Sequence, residues 1–319
     1  MKKPIRVAVV GVGYVGALHA QVYARLAGAR LVAVCDVDPT RAHEVANRIG
    51  CQAMQDIRKL PGLVDAVSVC VPTSHHYAVG KLLLQSGIHV LIEKPIATNL
   101  KEADALLALA ARKRLTLQVG HIERFNAAIQ AAKAYLTHPR FIEAHRLSSY
   151  PFRGTDVSVV LDVMIHDLDL VLALVRSKPI QIDALGVPVL SRTEDIANAR
   201  IVFASGCVAN LTASRISDEA MRRIRLFQED CYLSLDYKHQ TVDLARKVGA
   251  TIRRKSLTVK RRPPLDEELT AFLHAVRTNQ RPVVSGTEAR QALALALAIE
   301  QAMRRARRPQ ALGRAVRSP

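Results

Sequence analysis

Lys94, Asp162 and His166 are the side chains of this sequence whose types and settings best suit proton transfer. Lys94 stands in Glu93-Lys94-Pro95, directly after the apolar run His89-Val90-Leu91-Ile92. A lysine at the carboxyl end of a parallel strand points into the crevice where open α/β sheets bind ligands, and a proline there stops the strand. An ammonium so placed can stabilise negative charge developing on a reacting oxygen. Asp162 and His166 are four positions apart and Asp169 lies three further, within Leu161-Asp162-Val163-Met164-Ile165-His166-Asp167-Leu168-Asp169. On a helix all three project from one face. Asp162 can then hold the imidazole in one tautomer and leave its other nitrogen to take or give a proton. The competing reading makes Asp162 a helix cap and His166 a satisfied core residue.

A phosphate-binding signature precedes these residues. Gly11-Val12-Gly13-Tyr14-Val15-Gly16 follows the strand-like stretch 7–10 and opens a helix-like one. Gly11 permits a tight turn, Gly13 lets the backbone approach a pyrophosphate, and Gly16 allows close packing of helix on strand. The helix amino terminus then faces the phosphates. Asp36, twenty residues beyond Gly16, ends the next strand, where its carboxylate can accept from an adenosine ribose and would repel a 2′-phosphate. The expected cofactor is NAD. Its expected contacts are Gly11, Gly13, Tyr14, Val15, Gly16, Asp36, Glu93 and Lys94, with Pro72, Thr73 and His76 from the loop Val71-Pro72-Thr73-Ser74-His75-His76 walling the nicotinamide. The doublet His75-His76 raises a metal, but neither a cysteine nor a carboxylate stands near it in sequence. Helix capping or cofactor contact is preferred, and no metal is expected.

Segments of alternating period must position these groups. Strands are predicted over 5–10, 30–36, 66–71, 89–92 and 115–119, and helices over 18–26, 39–49, 76–85 and 101–113. That alternation predicts a doubly wound parallel sheet, a Rossmann domain over 1–121. From about residue 140 the texture changes to longer alternating runs over 141–149, 180–190, 197–213, 224–237 and 240–247, with helices over 162–176, 265–278 and 287–305. These predict an α+β domain over 122–319 with an open-faced, mostly antiparallel sheet.

Composition narrows the partners. The chain has 319 residues, is 49% hydrophobic and carries a formal charge of +18. A nucleic-acid site would want clustered base-stacking aromatics, yet aromatics are 4% of the chain and there is no tryptophan. Solvated basic faces are the preferred reading, so no nucleic-acid partner is expected, although a positive field also suits an anionic small substrate such as a nucleotide sugar. No apolar stretch reaches the roughly 20 residues that cross a bilayer. The start of the chain runs straight into a strand without room for a signal peptide, and the five cysteines are odd in number and lack CxxC spacing. A cytoplasmic protein with reduced thiols and no membrane partner is expected.

Taken together, Gly11-Val12-Gly13-Tyr14-Val15-Gly16, Val64-Asp65-Ala66-Val67 leading to Val71-Pro72-Thr73, Gly87-Ile88-His89-Val90-Leu91-Ile92-Glu93-Lys94-Pro95, and Asp162 with His166 resemble the Gfo/Idh/MocA oxidoreductases. The resemblance spans nearly the whole chain. It implies a sugar bound between a Rossmann domain and an open-faced sheet domain, catalytic positions matching Lys94, Asp162 and His166, and a Lys94–Pro95 bond that is often cis in relatives. The stretches 120–126 and 156–169 look like the branch that contains UDP-N-acetylglucosamine 3-dehydrogenases. That branch implies oxidation of the sugar 3-hydroxyl to a ketone, which a partner aminotransferase converts to a 3-amino sugar for lipid A. Arg124, Asn126, Arg153 and Asp169 are then candidate substrate contacts, with structural roles as the alternative. The rival readings are a dehydrogenase of a free sugar or cyclitol such as inositol, and a non-catalytic regulator that senses NAD and a sugar. Retention of Lys94, Asp162 and His166 argues against the regulator. An open sheet face also implies a homodimer or homotetramer.

Overall fold

The computed structural model describes residues 3–150 and 157–307. It divides into two compact units, Met1–Ala134 with Thr258–Leu293 and Tyr135–Leu257 with Ala294–Pro319. A single cut in the chain therefore does not separate them.

The first unit runs β1 (Ile5–Val10), α1 (Tyr14–Arg25), β2 (Ala29–Cys35), α2 (Pro39–Ile49), β3 (Gln52–Met54), β4 (Ala66–Val69), α3 (Thr73–Gln85), β5 (His89–Glu93), α4 (Leu100–Lys113), β6 (Leu117–Gly120) and α5 (Ala127–Ala132). Its six strands are all parallel in the order β3-β2-β1-β4-β5-β6. The order reverses between β1 and β4, which opens a crevice at the carboxyl ends of those strands. Local chemistry fixes the helix ends. The Asp38 side chain accepts from the Arg41 N–H, Pro39 fills the first position of α2, and Gly50 closes it at φ 83°. Asn99 caps α4 through the Glu102 N–H, and Glu102 reaches back to the Thr98 N–H. The sheet is buried on both faces, with Val7, Val9, Val67, Val90, Leu91 and Ile92 inaccessible to solvent.

A helix from late in the chain completes this core. Leu269, Phe272 and Leu273 of the helix Pro264–Thr278 pack with Val7, Val9, Ala20 and Tyr23.

The second unit holds β7 (Phe141–Leu147), a π-turn (Val160–Met164), α6 (Ile165–Val175), β8 (Pro179–Val187), β9 (Ile196–Phe203), β10 (Val208–Ser214), β11 (Met221–Phe227), β12 (Cys231–Asp236), β13 (Thr241–Val248) and β14 (Thr251–Ser256). The late helices are α7 (Pro264–Thr278), which belongs to the first unit, and α8 (Gly286–Ala306), within which the division falls. The eight-stranded sheet has the order β14-β13-β12-β11-β7-β10-β9-β8, antiparallel except for β7 with β10. Burial alternates along its central strands: Ile142, Ala144, Leu211, Ile224, Leu226, Leu233 and Leu235 are buried, and their neighbours on the opposite face are partly or fully exposed. One face is thus covered and the other is open, as the alternating runs require.

Several elements depart from the expected bounds. The runs 197–213 and 224–237 each resolve into two strands, the first pair joined through Gly206 at φ 83°. β3, α5 and β14 are additional to the expected elements. All six residues of β14 are exposed, so it carries no buried periodicity to betray it. The five cysteines are free; burial pushes the Cys35 thiol up to about 12 and the Cys207 thiol to about 11, which keeps both protonated.

Candidate active site

The loop between β1 and α1 is built to receive an anion. Gly11 sits at φ 82°, and a Cβ there would lie 2.7 Å from the Val71 backbone nitrogen. A Cβ on Gly16 would lie 1.8 Å from the Gly11 carbonyl oxygen, so that glycine is required for the helix to close on the strand. Gly13 differs: nothing in the protein lies within 4 Å of a Cβ built on it. Its bareness serves whatever approaches from outside. The amino terminus of α1 has no side-chain cap and no acidic residue in its first turn, so its N–H groups and dipole are offered to a negative ligand. Tyr14 and Val15 are exposed beside it.

Asp36 follows β2 and is nearly buried. Its Oδ2 accepts the Val12 N–H at 2.8 Å, its Oδ1 accepts the Asp38 N–H at 3.0 Å, and Arg41 Nη1 lies 3.7 Å from Oδ1. The carboxylate is thereby fixed against the glycine loop, where a ribose diol can add to its remaining lone pairs. An open cradle at Gly13, an uncapped helix terminus and a fixed acid together fit NAD.

Glu93 ends β5, and Lys94 follows it in a half-buried setting with a cis Lys94–Pro95 bond. Burial pushes the Glu93 carboxyl up, but the His19 hydrogen bond and the neighbouring Lys94 charge outweigh it and hold the group below its ordinary range. Pro72 caps α3 and is exposed, and Thr73 is the first residue of that helix. His76 is buried, with Nδ1 at 2.7 Å from the Pro95 carbonyl and Nε2 at 2.9 Å from the Val71 carbonyl. Both ring nitrogens therefore face backbone carbonyls, whereas the sequence alone suggests helix capping or a contact with the cofactor. Burial pulls this imidazole below its ordinary value, and a neutral ring donates to only one of the two carbonyls.

In the second unit, Asp162 lies in the π-turn and His166 is the second residue of α6, both half-buried. The Ile165 N–H bonds the Val160 carbonyl, one residue wider than an α-turn. Widened turns of this kind recur at functional sites. The four-residue spacing thus spans a change of helix type, not the uniform α-helix that the sequence implied. Asp169 is buried on α6. The neighbouring Asp167 takes a fork of two bonds from Arg146 of β7, Nε at 2.9 Å and Nη2 at 3.0 Å, which pins α6 to the sheet.

Arg215 makes a second pin. Fully buried, it donates to Asp195 Oδ1 at 2.9 Å, the Val157 carbonyl at 2.9 Å and Thr193 Oγ1 at 2.8 Å. Val157 leads directly into the π-turn, so this network fixes the approach to Asp162. Sequence reasoning passed over Arg146, Asp167, Arg215 and Asp195 because nothing local marks them. Of the candidate substrate contacts, Arg124 is buried, with Nη2 3.4 Å from Glu288 Oε1, and Asn126 caps α5 through the Ala128 N–H while donating to Glu123 Oε2 at 3.2 Å. Both have internal partners in the first unit. Arg153 lies outside the described residues.

Known proteins are similar to this chain in sequence and fold. Residues 5–121 match the model of the oxidoreductase family with an NAD-binding Rossmann fold, and residues 128–233 match the GFO/IDH/MocA C-terminal domain. The chain is 38% identical over 306 residues to UDP-N-acetylglucosamine 3-dehydrogenase of Acidithiobacillus ferrooxidans, covering 94% of this chain and 97% of that protein. A crystal structure of that enzyme superposes with a TM-score of 0.90 over 94% of this chain and 98% of that one. A myo-inositol 2-dehydrogenase of Thermotoga maritima is 26% identical, covering 94% and 96%. A levoglucosan dehydrogenase bound to NADH and levoglucosan shares the fold, with a TM-score of 0.88 at 16% identity over 95% and 98%. With the glycine cradle, the fixed Asp36 and these matches across both units, the chain belongs to the Gfo/Idh/MocA family of NAD-dependent oxidoreductases.

Proposed function

We propose that this enzyme oxidises the 3-hydroxyl of UDP-N-acetylglucosamine to a ketone with NAD. The carrying observation is 38% identity over 94% of the chain to an enzyme of that name, alongside the presence of Lys94, Asp162 and His166 in this sequence. NAD, when bound, supplies the acceptor for the hydride that leaves C3. The chain's own residues manage the other half of the reaction, loss of the hydroxyl proton. Lys94 donates a hydrogen bond to the hydroxyl oxygen and stabilises the negative charge that grows on it. His166, oriented by Asp162, is the proposed general base of the second unit. The C–H and O–H bonds break, a C=O bond forms, and one hydride and one proton leave the sugar. Gly11, Gly13 and the α1 terminus hold the pyrophosphate, and Asp36 holds the ribose.

The product is a ketone next to an acetamido carbon, a substrate for an aminotransferase. In this reading the enzyme acts before one and supplies a 3-amino sugar for lipid A in the cytoplasm. The open sheet face is the surface through which it assembles as a homodimer or homotetramer. Among the described residues no helix is long and apolar enough to cross a membrane.

The test is turnover of NAD, followed by absorbance of the reduced nicotinamide, with UDP-N-acetylglucosamine, UDP-glucose, N-acetylglucosamine and myo-inositol. Reduction with the first alone, and formation of a 3-ketone by mass and NMR, is the expected result. Turnover on myo-inositol with indifference to the UDP sugars would overturn it in favour of a cyclitol dehydrogenase.

A further inference from the structure

Three ionisable groups from distant stretches meet beneath the end of β5. His19 of α1, Glu93 of β5 and Glu268 of α7 each present one atom within 4.8 Å of the others. His19 is fully buried, one turn into the nucleotide-facing helix, and its Nε2 lies 3.1 Å from Glu93 Oε1. An ionised carboxylate only accepts, so Nε2 carries the proton in this bond. The other Glu93 oxygen, Oε2, accepts the backbone N–H of Lys94 at 3.3 Å. Space for the carboxylate comes from β6: a Cβ on Gly120 would lie 2.5 Å from Oε1 and 2.9 Å from Oε2. In the tautomer that carries its proton on Nδ1, His76 donates to the Pro95 carbonyl, 2.7 Å away, beyond Lys94. In that tautomer the backbone carrying the ammonium is tied on both sides.

We propose that His19 is a positioning residue for Lys94: acting through the Glu93 carboxylate seated in the slot that Gly120 leaves, it fixes the backbone from which the Lys94 ammonium projects. This rests on the catalytic role given to Lys94 above. Without the His19 donor, two carboxylates face one another in a buried site, and Glu93 must take up a proton or turn away. Either change removes the fixed acceptor from the Lys94 N–H. Misplacing a reacting group by about 1 Å costs about 10²-fold in rate.

The experiment compares His19→Leu with His19→Gln, whose amide nitrogen stands the same number of bonds from Cβ as Nε2 and restores the donor. Gly120→Ala is the second variant, since it expels the carboxylate while leaving His19 in place. Steady-state kinetics, NADH affinity by nicotinamide fluorescence, thermal melting and bound-metal analysis are read on each. The expected result is kcat down about 10²-fold in His19→Leu and in Gly120→Ala. His19→Gln should recover to within about tenfold of the parent, with NADH affinity within about twofold in all three. Three results would overturn the proposal. They are unchanged kcat in His19→Leu or in Gly120→Ala, His19→Gln no better than His19→Leu, and NADH affinity falling in parallel with kcat. Stoichiometric divalent metal in the parent enzyme would also overturn it, because a cation would then bridge the groups instead of a proton. Lys94→Met is run beside them. If it turns over normally, the reading of Lys94 has failed; if it is inactive while His19→Leu is active, only the positioning role has.

Discussion

Gly13→Ala should separate the fold from the cofactor site. Its backbone, at φ −63° and ψ −160°, is open to any L-residue, and a Cβ there meets no protein atom within 4 Å. Replacing glycine at a compatible site stabilises by about 0.4–1 kcal/mol through the unfolded chain. Alanine is a poorer helix N-cap than glycine by a similar amount, roughly 0.5–1 kcal/mol. The two offset, so the melting temperature of the ligand-free variant should stay within about 4 °C of the parent. The cofactor meets the methyl instead. Losing one charge-assisted bond from the loop to a phosphate costs about 1.5–3 kcal/mol, which weakens NADH about 10- to 150-fold. Gly11→Ala supplies the contrast, because φ 82° costs an L-residue about 1–2 kcal/mol before its Cβ meets the Val71 nitrogen at 2.7 Å. Thermal melts without ligand and fluorescence titration with NADH read the two effects independently. A Gly13→Ala protein that melts as early as Gly11→Ala, or that binds NADH as the parent does, would refute the assignment of that bare space to the pyrophosphate.

Other expectations concern the ribose acid, the proton relay and the buried pins. Asp36→Ser removes a like charge from the place of a 2′-phosphate and leaves Arg41, 3.7 Å from the present carboxylate, to receive it. At an effective dielectric of about 20 that repulsion is worth a few kcal/mol, so the ratio of kcat/KM for NADP over NAD should rise about 10²-fold or more. His166→Asn should lower kcat by about 10²- to 10⁴-fold while NADH affinity is retained, and normal turnover would remove His166 from the relay. Arg215→Met removes the cation paired with the fully buried Asp195 carboxylate and should cost about 3–5 kcal/mol in chemical denaturation of the second unit. Burial pushes the Asp195 carboxyl up, but the N–H groups of Ser191, Leu190 and Val189 and the Ser191 hydroxyl outweigh it and hold the group well below its ordinary range. Its contribution is therefore complete above about pH 4, where the unfolded chain is already ionised, and is lost as the pH falls toward the folded value. Unfolding free energy should decline with acid below that point, and Asp195→Asn should flatten the decline.

The candidate site residues were legible because their signals are local. A glycine triplet, an acid at a strand end and a lysine before proline each declare themselves within a few positions, and β1 and α2 have the bounds their flanking residues imply. Asp38, Pro39 and Gly50 punctuate α2 completely. The long runs in the second half lacked such punctuation: Gly206 alone marks the turn that divides 197–213. β14 is dictated by its ladder with β13, while its own Arg253, Arg254 and Lys255 read as a solvated face. What stayed hidden were the groups that hold the chemistry in place. Glu268 reads as an ordinary helix acid, and the apolar stripe of Leu269, Phe272 and Leu273 announces a helix without saying which sheet it covers. Only when α7 returns to the first unit do His19, Glu93 and Glu268 become neighbours. Arg146 with Asp167 and Arg215 with Asp195 are likewise made by tertiary pairing of residues about twenty positions apart in the chain. Local spacing specifies what a site can do, whereas long-range pairing specifies how firmly it is aimed. A variant at a pairing residue should therefore alter rate while leaving the ligand contacts themselves intact.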